Sequence, residues 1–223
     1  MMNTNPNTKI IIKDNLSHDK IIYDDEGKPW VCIVCEDVSG AIWEEYERLQ
    51  DPLIHQFLST RSKALNWPSL SLPKQNIFNK FKERFTSSIN SIKKGEFIPT
   101  IQFQVLQKII SHFPQHRLIL ADFDSLPDTI EGKNAPVVQT RLDNETIACS
   151  TYLLKKGEYD IFFPTNFELL SKMYSQMTTP TKQGKVFTQH EFLKMYADPS
   201  KTRTLSGYNP LLEEYENMKF FVS

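Results

Sequence analysis

Residues 100–122 read TIQFQVLQKIISHFPQHRLILAD, an amphipathic segment that is followed directly by a short apolar one. Thr100 is a typical helix cap, apolar residues recur every three to four positions over residues 101–113, and Pro114 predicts the end of the helix. The run Leu118–Ala121 then predicts a strand with apolar side chains on both faces. A helix that leads into such a strand favours an α/β fold with a buried, mostly parallel sheet.

The rest of the chain carries the patterns of further strands and helices. The predicted strands are Lys9–Ile12, Lys20–Tyr23, Trp30–Cys35, Pro136–Thr140, Thr146–Leu154, Tyr159–Phe163 and Asn217–Val222. Apolar spacing predicts an amphipathic helix over residues 77–92, and capping-box patterns at Thr165–Glu168 and Thr188–Glu191 predict two more helix starts. Prolines between Asp51 and Pro73 predict an irregular segment with a short helical turn. The predicted fold is α/β with additional β-structure.

Composition excludes several classes of function. The chain has 223 residues and a net charge of −1, from 26 Lys and Arg against 27 Asp and Glu, so its charge favours neither nucleic acid nor an anionic membrane as a partner. No apolar run approaches the roughly 18 residues of a membrane span. It has only seven glycines, and no two lie within ten residues of each other. A dinucleotide fingerprint or a phosphate-binding loop needs closely spaced glycines, so this sequence predicts neither.

The cysteines and histidines do not predict a metal site. Cys32 and Cys35 have the spacing of a zinc or redox motif, but they lie in a predicted strand, where residues three apart point to opposite faces. We therefore expect two structural cysteines, and a total of three cysteines favours a reducing compartment. His112 and His116 are separated by Pro114, which breaks the helix that their spacing would need, so we expect them at the surface of a turn.

Two acidic segments are candidate ligand-binding sites. Asp122 and Asp124 follow the strand at Leu118–Ala121, and ligands of open α/β sheets bind beyond the carboxyl ends of strands. Residues 14–19, DNLSHD, place acid, amide and imidazole groups together and could supply a general base. The alternative for both segments is a polar turn whose side chains cap the backbone.

Longer motifs resemble a known family. They are Phe97–Thr100, His112–Leu118, Asp122–Asp128, Asn134–Arg141, Cys149–Leu153, Tyr159–Glu168, Thr202–Pro210 and Glu214–Phe220. Together they resemble the C-terminal part of the MidA-like mitochondrial family of S-adenosyl-L-methionine-dependent protein arginine methyltransferases. The resemblance is specific from about Glu96 to Ser223 and looser between Asp14 and Leu58.

The resemblance implies a class I methyltransferase fold, with a Rossmann-like sheet, inserted β-structure and inserted helices. It implies symmetric dimethylation of an arginine in a protein substrate, a subunit of respiratory complex I, during assembly of that complex in mitochondria. The family binds S-adenosyl-L-methionine through a glycine-rich loop after the first strand and an acidic residue after the second.

Both cofactor elements should precede Asp14, where this chain has thirteen residues and no such loop. We therefore expect that the cofactor half is missing, that no cofactor-binding residue can be assigned, and that the chain alone does not bind S-adenosyl-L-methionine. No transit peptide is visible. The expected organisation is a disordered leader (1–8) followed by the C-terminal portion of the domain (9–223). That portion divides into first strands and turn (9–60), an insertion with a helix (61–95) and the best-matching region (96–223).

Five positions match the family where it faces cofactor and substrate: Asp14, Asn15, His18, Asp19 and Asp122. A carboxylate there could orient the guanidinium group of an arginine and accept its proton during methyl transfer. The predicted function is protein arginine methylation. The alternative is a catalytically inactive scaffold or binding subunit derived from the family, which would form a homo-oligomer or a hetero-oligomer.

Overall fold

The structure, a computed structural model, describes residues 10–12, 17–67, 84–85, 95–179 and 182–223. The chain forms two compact units. Unit 1 comprises Met1–Leu58, Leu70–Gln104 and Asp128–Phe162, and unit 2 comprises Ser59–Ser69, Val105–Pro127 and Phe163–Ser223.

Unit 1 contains two antiparallel sheets. Its strands are β1 (Ile10–Ile12), β2 (Asp19–Tyr23), β3 (Pro29–Glu36), β4 (Ile42–Arg48), β5 (Arg84–Phe85), β6 (Glu96–Ile98), β8 (Val137–Leu142), β9 (Glu145–Ala148) and β10 (Asp160–Phe162). The larger sheet has the order β5-β4-β3-β2-β6, with β1 also paired to β3, and the smaller has the order β10-β8-β9.

Unit 2 contains a third antiparallel sheet and most of the helical residues. Its strands are β7 (Ile119–Phe123), β11 (Lys185–Thr188) and β12 (Met218–Val222), in the order β11-β12-β7. The described helices of the chain are α1 (Pro52–Ala64), α2 (Thr100–His112), α3 (Phe167–Met177), α4 (Gln189–Tyr196) and α5 (Pro210–Glu213), with a 3-10 helix at Pro199–Thr202. α1 and α2 each contribute residues to both units.

The two hairpins of the larger sheet use the same turn chemistry. The side chain of Asp24 accepts hydrogen bonds from the backbone N–H groups of Glu26 (3.0 Å) and Lys28 (2.8 Å), and Gly27 adopts φ 75°. One hairpin later, Asp37 and Gly40 repeat this arrangement, with φ 84° at the glycine. Glycine reaches these positive φ values without the strain that a Cβ atom causes. These turns set the register of β2, β3 and β4.

The core of unit 2 forms where α3 packs on the sheet. Its buried members are Leu106, Phe167, Leu170, Tyr174 and Phe221. The rings of Tyr174 and Phe221 meet edge to face with their centroids 5.1 Å apart. α3 begins because the side chain of Asn166 accepts a hydrogen bond from the N–H of Leu169 at 2.9 Å.

Several predicted elements are confirmed, and the mixed α/β class is among them. α2 ends at His112 as predicted, the hairpin around residues 24–27 forms, and the capping box at Thr188–Glu191 opens α4. The predicted strands at 10–12, 20–23, 30–35, 136–140, 159–163 and 217–222 correspond to β1, β2, β3, β8, β10 and β12.

The predicted buried, mostly parallel sheet is wrong for the strand at residues 118–121. That strand, β7, pairs antiparallel with β12, and the side chain of Ile119 is 61% exposed. An apolar run does not specify the direction of the strand's partner, and here that partner lies about a hundred residues further along the chain.

Local chemistry explains the other differences. The segment after Asp51 forms the thirteen-residue helix α1, because the Asp51 carboxylate accepts the N–H of Leu53 at 2.7 Å and Pro52 stands at the first helical position. The strand predicted to reach Leu154 ends at Ala148. Most of the predicted helix over residues 77–92, and the leader at 1–8, lie outside the described residues, but Arg84–Phe85 forms a strand against β4.

We predict that Leu170→Ala destabilises the chain by about 2–5 kcal/mol, because it removes a buried side chain from the core of unit 2 and leaves a cavity. Urea unfolding followed by circular dichroism measures this free energy. Leu205→Ala is the matched control, since Leu205 is fully exposed and its loss should change stability by less than about 0.5 kcal/mol. Equal effects of the two substitutions would contradict the assignment of this core.

Candidate functional site

The predicted site residues lie in different parts of the structure. His18 precedes β2 and Asp19 begins it, so both belong to unit 1. Asp122 lies in β7 and belongs to unit 2. Asp14 and Asn15 lie outside the described residues. The geometry of the candidate site is therefore described for the segment Ser17–Asp19.

Segment Ser17–Asp19 lies against the start of α2. The hydroxyl of Thr100, the first residue of α2, donates a hydrogen bond to the carboxylate of Asp19, and the N–H of Ile101 lies 3.4 Å from the carbonyl oxygen of Ser17. Asp19 also pairs with Ile98 in the ladder between β2 and β6. Thr100 was expected to cap its own helix, and its side chain instead fixes the position of Asp19.

Burial changes the acid–base behaviour of this segment. Burial raises the pKa of Asp19, and repulsion by Asp51 raises it further, against the opposing effect of the Thr100 hydrogen bond. Burial lowers the pKa of His18 to about 4, so its imidazole is neutral at physiological pH. The Nδ1 atom of His18 lies 2.9 Å from the hydroxyl oxygen of Ser17. A carboxylate whose pKa is raised can accept a proton from a bound substrate.

Asp122 has a different environment. One of its carboxylate oxygens accepts the N–H of Phe123 at 2.8 Å, and the other accepts the hydroxyl of Thr165 at 2.6 Å. The N–H of Thr165 in turn donates to the carbonyl oxygen of Phe123 at 2.8 Å. Asp122 thus connects β7 to the residues that precede α3. Its bond to the N–H of Phe123 is the backbone-capping role that the sequence analysis gave as the alternative to ligand binding. Its part in binding a ligand stays a prediction.

A second cluster of ionisable residues in unit 1 was missed by sequence reasoning. Lys20 in β2 forms an ion pair with Glu44 in β4, with Nζ 2.8 Å and 3.0 Å from the two carboxylate oxygens. The hydroxyl groups of Tyr46 and Tyr152 also donate to Glu44. The rings of Tyr46, Phe97 and Tyr152 have their centroids 6.0, 5.9 and 5.7 Å from the Lys20 ammonium. We call Glu44 and these three rings the aromatic cage.

A signal for part of the aromatic cage was present in the sequence. Glu44 and Tyr46 are two residues apart in β4, so their side chains project from the same face of the strand. Recognising the whole cage required the pairing of β2 with β6 and the path of the chain around Tyr152, which local patterns do not contain.

The cysteines have the predicted structural character. Cys35 is fully buried and Cys32 is half-buried, and both are free thiols. Burial raises the pKa of Cys32 to about 12, which keeps it protonated. Among the described residues, no group of three or more His, Cys, Asp or Glu side chains is placed to bind a metal ion.

His116 differs from its predicted surface position. It is half-buried, and its Nε2 atom lies 2.8 Å from the hydroxyl oxygen of the buried Tyr174. His112 is exposed, as predicted.

None of the described helices combines the length and the apolar composition needed to cross a membrane.

We predict that His18 makes the protein sensitive to acid. Its folded-state pKa of about 4 lies below the ordinary value of 6.5, so the unfolded chain takes up a proton first as the pH falls. The free energy of unfolding is therefore at its full value above pH 6.5. It falls between pH 6.5 and 4 as the unfolded chain is protonated at His18, by up to roughly 3 kcal/mol. His18→Gln should remove this part of the pH dependence.

Urea unfolding between pH 7.5 and 4.5 measures the effect, with the exposed His112→Gln as the matched control. Asp19 contributes in the opposite direction, because its raised pKa favours the folded state as the pH falls, but both variants retain it and its effect cancels in the comparison. Equal acid sensitivity of the two variants would show that His18 is not the responsible group.

Comparison with known proteins identifies a family. No curated protein and no solved structure matches the chain. A family model described as "Putative S-adenosyl-L-methionine-dependent methyltransferase" matches residues 12–186, which are most of the chain and include His18, Asp19 and Asp122. The chain belongs to this family of S-adenosyl-L-methionine-dependent methyltransferases.

Proposed function

We propose that the protein methylates the guanidinium group of an arginine in a protein substrate, and that segment Ser17–Asp19 faces that substrate. Membership of the methyltransferase family supports the identity of the methyl donor. The observation that carries the proposal is the half-buried carboxylate of Asp19, whose pKa is raised and which follows in the chain the neutral imidazole residue His18. Such a carboxylate forms charge-assisted hydrogen bonds with a guanidinium group and accepts a proton from it.

Asp19 would act in two ways during the reaction. The Thr100 hydroxyl fixes the position of one carboxylate oxygen, so an ionised Asp19 orients the guanidinium nitrogen that reacts. S-adenosyl-L-methionine, when bound, supplies an electrophilic methyl group. Asp19 then accepts the proton that the guanidinium nitrogen loses as its bond to carbon forms. Because burial raises the pKa of Asp19, this carboxylate holds the proton more strongly than an exposed one does.

The described residues do not form a recognisable cofactor loop. Gly27 and Gly40 lie in hairpin turns, and Gly95 and Gly132 lie beside β6, so these four glycines do not have the consecutive spacing of a phosphate- or nucleoside-binding turn. We assign no residue of the described chain to the cofactor. We expect the 223-residue chain alone to show no binding of S-adenosyl-L-methionine in calorimetry, and the activity test below therefore uses protein purified from its own cells.

We also propose that the sheet β11-β12-β7 is the antiparallel margin of a Rossmann-like sheet. Doubly wound folds often carry an antiparallel strand at the edge of an otherwise parallel sheet. Within the described part of the chain, β7 pairs with β12 on one side and with no strand on the other, so that edge can accept a parallel neighbour.

The motifs that resemble the mitochondrial arginine methyltransferases support two further parts of the proposal. They favour a mitochondrial location and, as protein substrate, a subunit of respiratory complex I. These motifs run from Glu96 to the end of the chain, in regions that contain α2, β7, β8 and α3.

A second candidate function is that of a binding subunit without catalysis. The observation that favours it is a pair of large apolar side chains exposed at the end of α4 in unit 2, namely Met195 and Tyr196. Adjacent exposed apolar side chains can contribute to a protein interaction surface. On this proposal the protein would be recovered as a homo-oligomer or with a methyltransferase partner.

Asp19→Asn tests the catalytic proposal. Tagged protein purified from its own cells is incubated with methyl-labelled S-adenosyl-L-methionine and complex I subunits, and symmetric dimethylarginine is measured by mass spectrometry. We expect a loss of about 100-fold or more in rate, because the substitution removes the proton acceptor. Asp143→Asn is the matched control, since Asp143 is exposed in the turn between β8 and β9 and should leave the rate unchanged.

The outcomes separate the two candidate functions. Product with the wild type and with Asp143→Asn, but not with Asp19→Asn, supports arginine methylation at this site. Equal rates for all three proteins would remove Asp19 from the mechanism. Absence of labelled arginine with the wild type, together with recovery of a stable oligomer, would favour the binding subunit.

A further inference from the structure

The aromatic cage is built from three separate pieces of unit 1, and Lys20 enters it from a fourth. Lys20 lies directly opposite Phe97 in the ladder between β2 and β6, and Tyr46 lies directly opposite Cys32 in the ladder between β3 and β4. Residues that are directly opposite in a sheet project from the same face. Tyr152 comes from the segment that follows β9, and its ring meets that of Phe97 edge to face with centroids 5.8 Å apart.

The alkyl chain of Lys20 passes close to Gly95 on its way to the aromatic cage. Gly95 lies beside the stem of Lys20, and a Cβ atom at Gly95 would come within 2.6 Å of Cε and 3.1 Å of Cγ of that lysine. Any larger residue would therefore displace the lysine from the cage. The side chains of Lys20 and Glu44 remain 13% and 16% exposed, so the ion pair is not completely enclosed by protein.

The groups of the cage are held in fixed protonation states. Burial raises the pKa of Glu44, but the charge and hydrogen bonds of Lys20 and of the two tyrosines lower it further, so the carboxylate stays ionised. Burial raises the pKa of Tyr46 and of Tyr152 well above the ordinary value, and it raises that of Cys32 to about 12. Since none of these groups exchanges a proton near neutral pH, the cage is suited to binding a cation and not to acid–base catalysis.

We propose that the aromatic cage is a binding site for the lysine side chain of a partner protein, and that Lys20 occupies this site in the free chain. The chemistry of the walls supports this ligand: one carboxylate with both oxygens directed at the ammonium, and three ring faces at cation–π distance. When Lys20 leaves, Glu44 becomes a half-buried charge without its cation, and a second lysine restores the pairing. The proposal does not depend on methyl transfer.

Competition with Lys20 determines which ligands can enter. Lys20 is tethered beside the cage, so its effective concentration there exceeds that of a small amine in solution. A lysine of a partner protein can replace it when further contacts of that partner hold it in place. A free alkylammonium ion should bind only after the Lys20 side chain has been removed.

Lys20→Ala tests the site in the 223-residue chain, with n-butylammonium as the probe and neutral 1-butanol as its isostere. We expect this variant to melt at a lower temperature than the wild type, and n-butylammonium to raise its melting temperature. Calorimetry should show binding at least about tenfold tighter than for 1-butanol, because the probe restores a charge-assisted hydrogen bond and cation–π contacts. Wild type and the control variant Lys28→Ala, which removes an exposed lysine, should bind neither compound.

Two results would overturn the proposal. One is equal or absent binding of n-butylammonium and 1-butanol by Lys20→Ala. The other is an unchanged preference for the amine in the double variant Lys20→Ala with Glu44→Gln, which removes the negative charge from the cage.

A measurement on the wild type covers the case in which Lys20→Ala does not fold. The side-chain ammonium signal of Lys20 in a nitrogen-correlated NMR spectrum is assigned by its loss in Lys20→Met, which keeps the cage filled. We expect an oligolysine peptide, the probe for a partner lysine, to abolish this signal as Lys20 leaves the cage, while the signal of Lys28 remains. An unchanged Lys20 signal at every peptide concentration would show that the cage does not exchange its lysine, and the proposal would be wrong.

Discussion

Asp24 and Asp37 hold the two hairpins of the larger sheet by accepting backbone N–H groups, and the register of β2, β3 and β4 depends on them. A slip of one residue would move every side chain of a strand to the opposite face. In the observed register Asp19 meets Thr100, and its neighbour Lys20 lies on the other face opposite Phe97. One strand therefore contributes to two separate polar sites, and the aromatic cage, which brings β4 together with Lys20 of β2, requires both turns.

Two half-buried carboxylates of unit 1, Asp19 and Glu44, show how environment assigns different roles to the same chemical group. Burial opposes ionisation in both. At Glu44 the adjacent Lys20 and two hydroxyl groups outweigh burial, and the pKa falls. At Asp19 a single hydroxyl group does not outweigh burial and the charge of Asp51, and the pKa rises. Glu44 is thus suited to hold a cation, and Asp19 is suited to accept a proton.

In unit 2, the pairing of β7 with a distant strand gives the polar residues after residues 118–121 a different role from the one predicted. The polar residues after the strand at 118–121 are typical of a ligand site at the end of a parallel strand. In the structure β12 runs antiparallel beside β7, and one carboxylate oxygen of Asp122 accepts the hydroxyl of Thr165 while the other accepts the N–H of Phe123 within the strand. Thr165 was predicted to open a helix through its side chain. Because its hydroxyl is engaged with Asp122, the neighbouring Asn166 caps α3 instead.

The sequence by itself determined the features that depend on neighbouring residues: the mixed α/β class, the hairpin at Asp24–Gly27, the end of α2 before Pro114 and the capping box of α4. It also pointed to His18 and Asp19, whose residue types cluster within one short segment. Only the tertiary structure decided the antiparallel direction of β7, the burial that changes the pKa values of His18 and Asp19, and the existence of the aromatic cage. These features join residues such as Glu44 and Tyr152, which are 108 positions apart. Local propensity acts over a few residues, whereas strand pairing and burial depend on which distant segments meet.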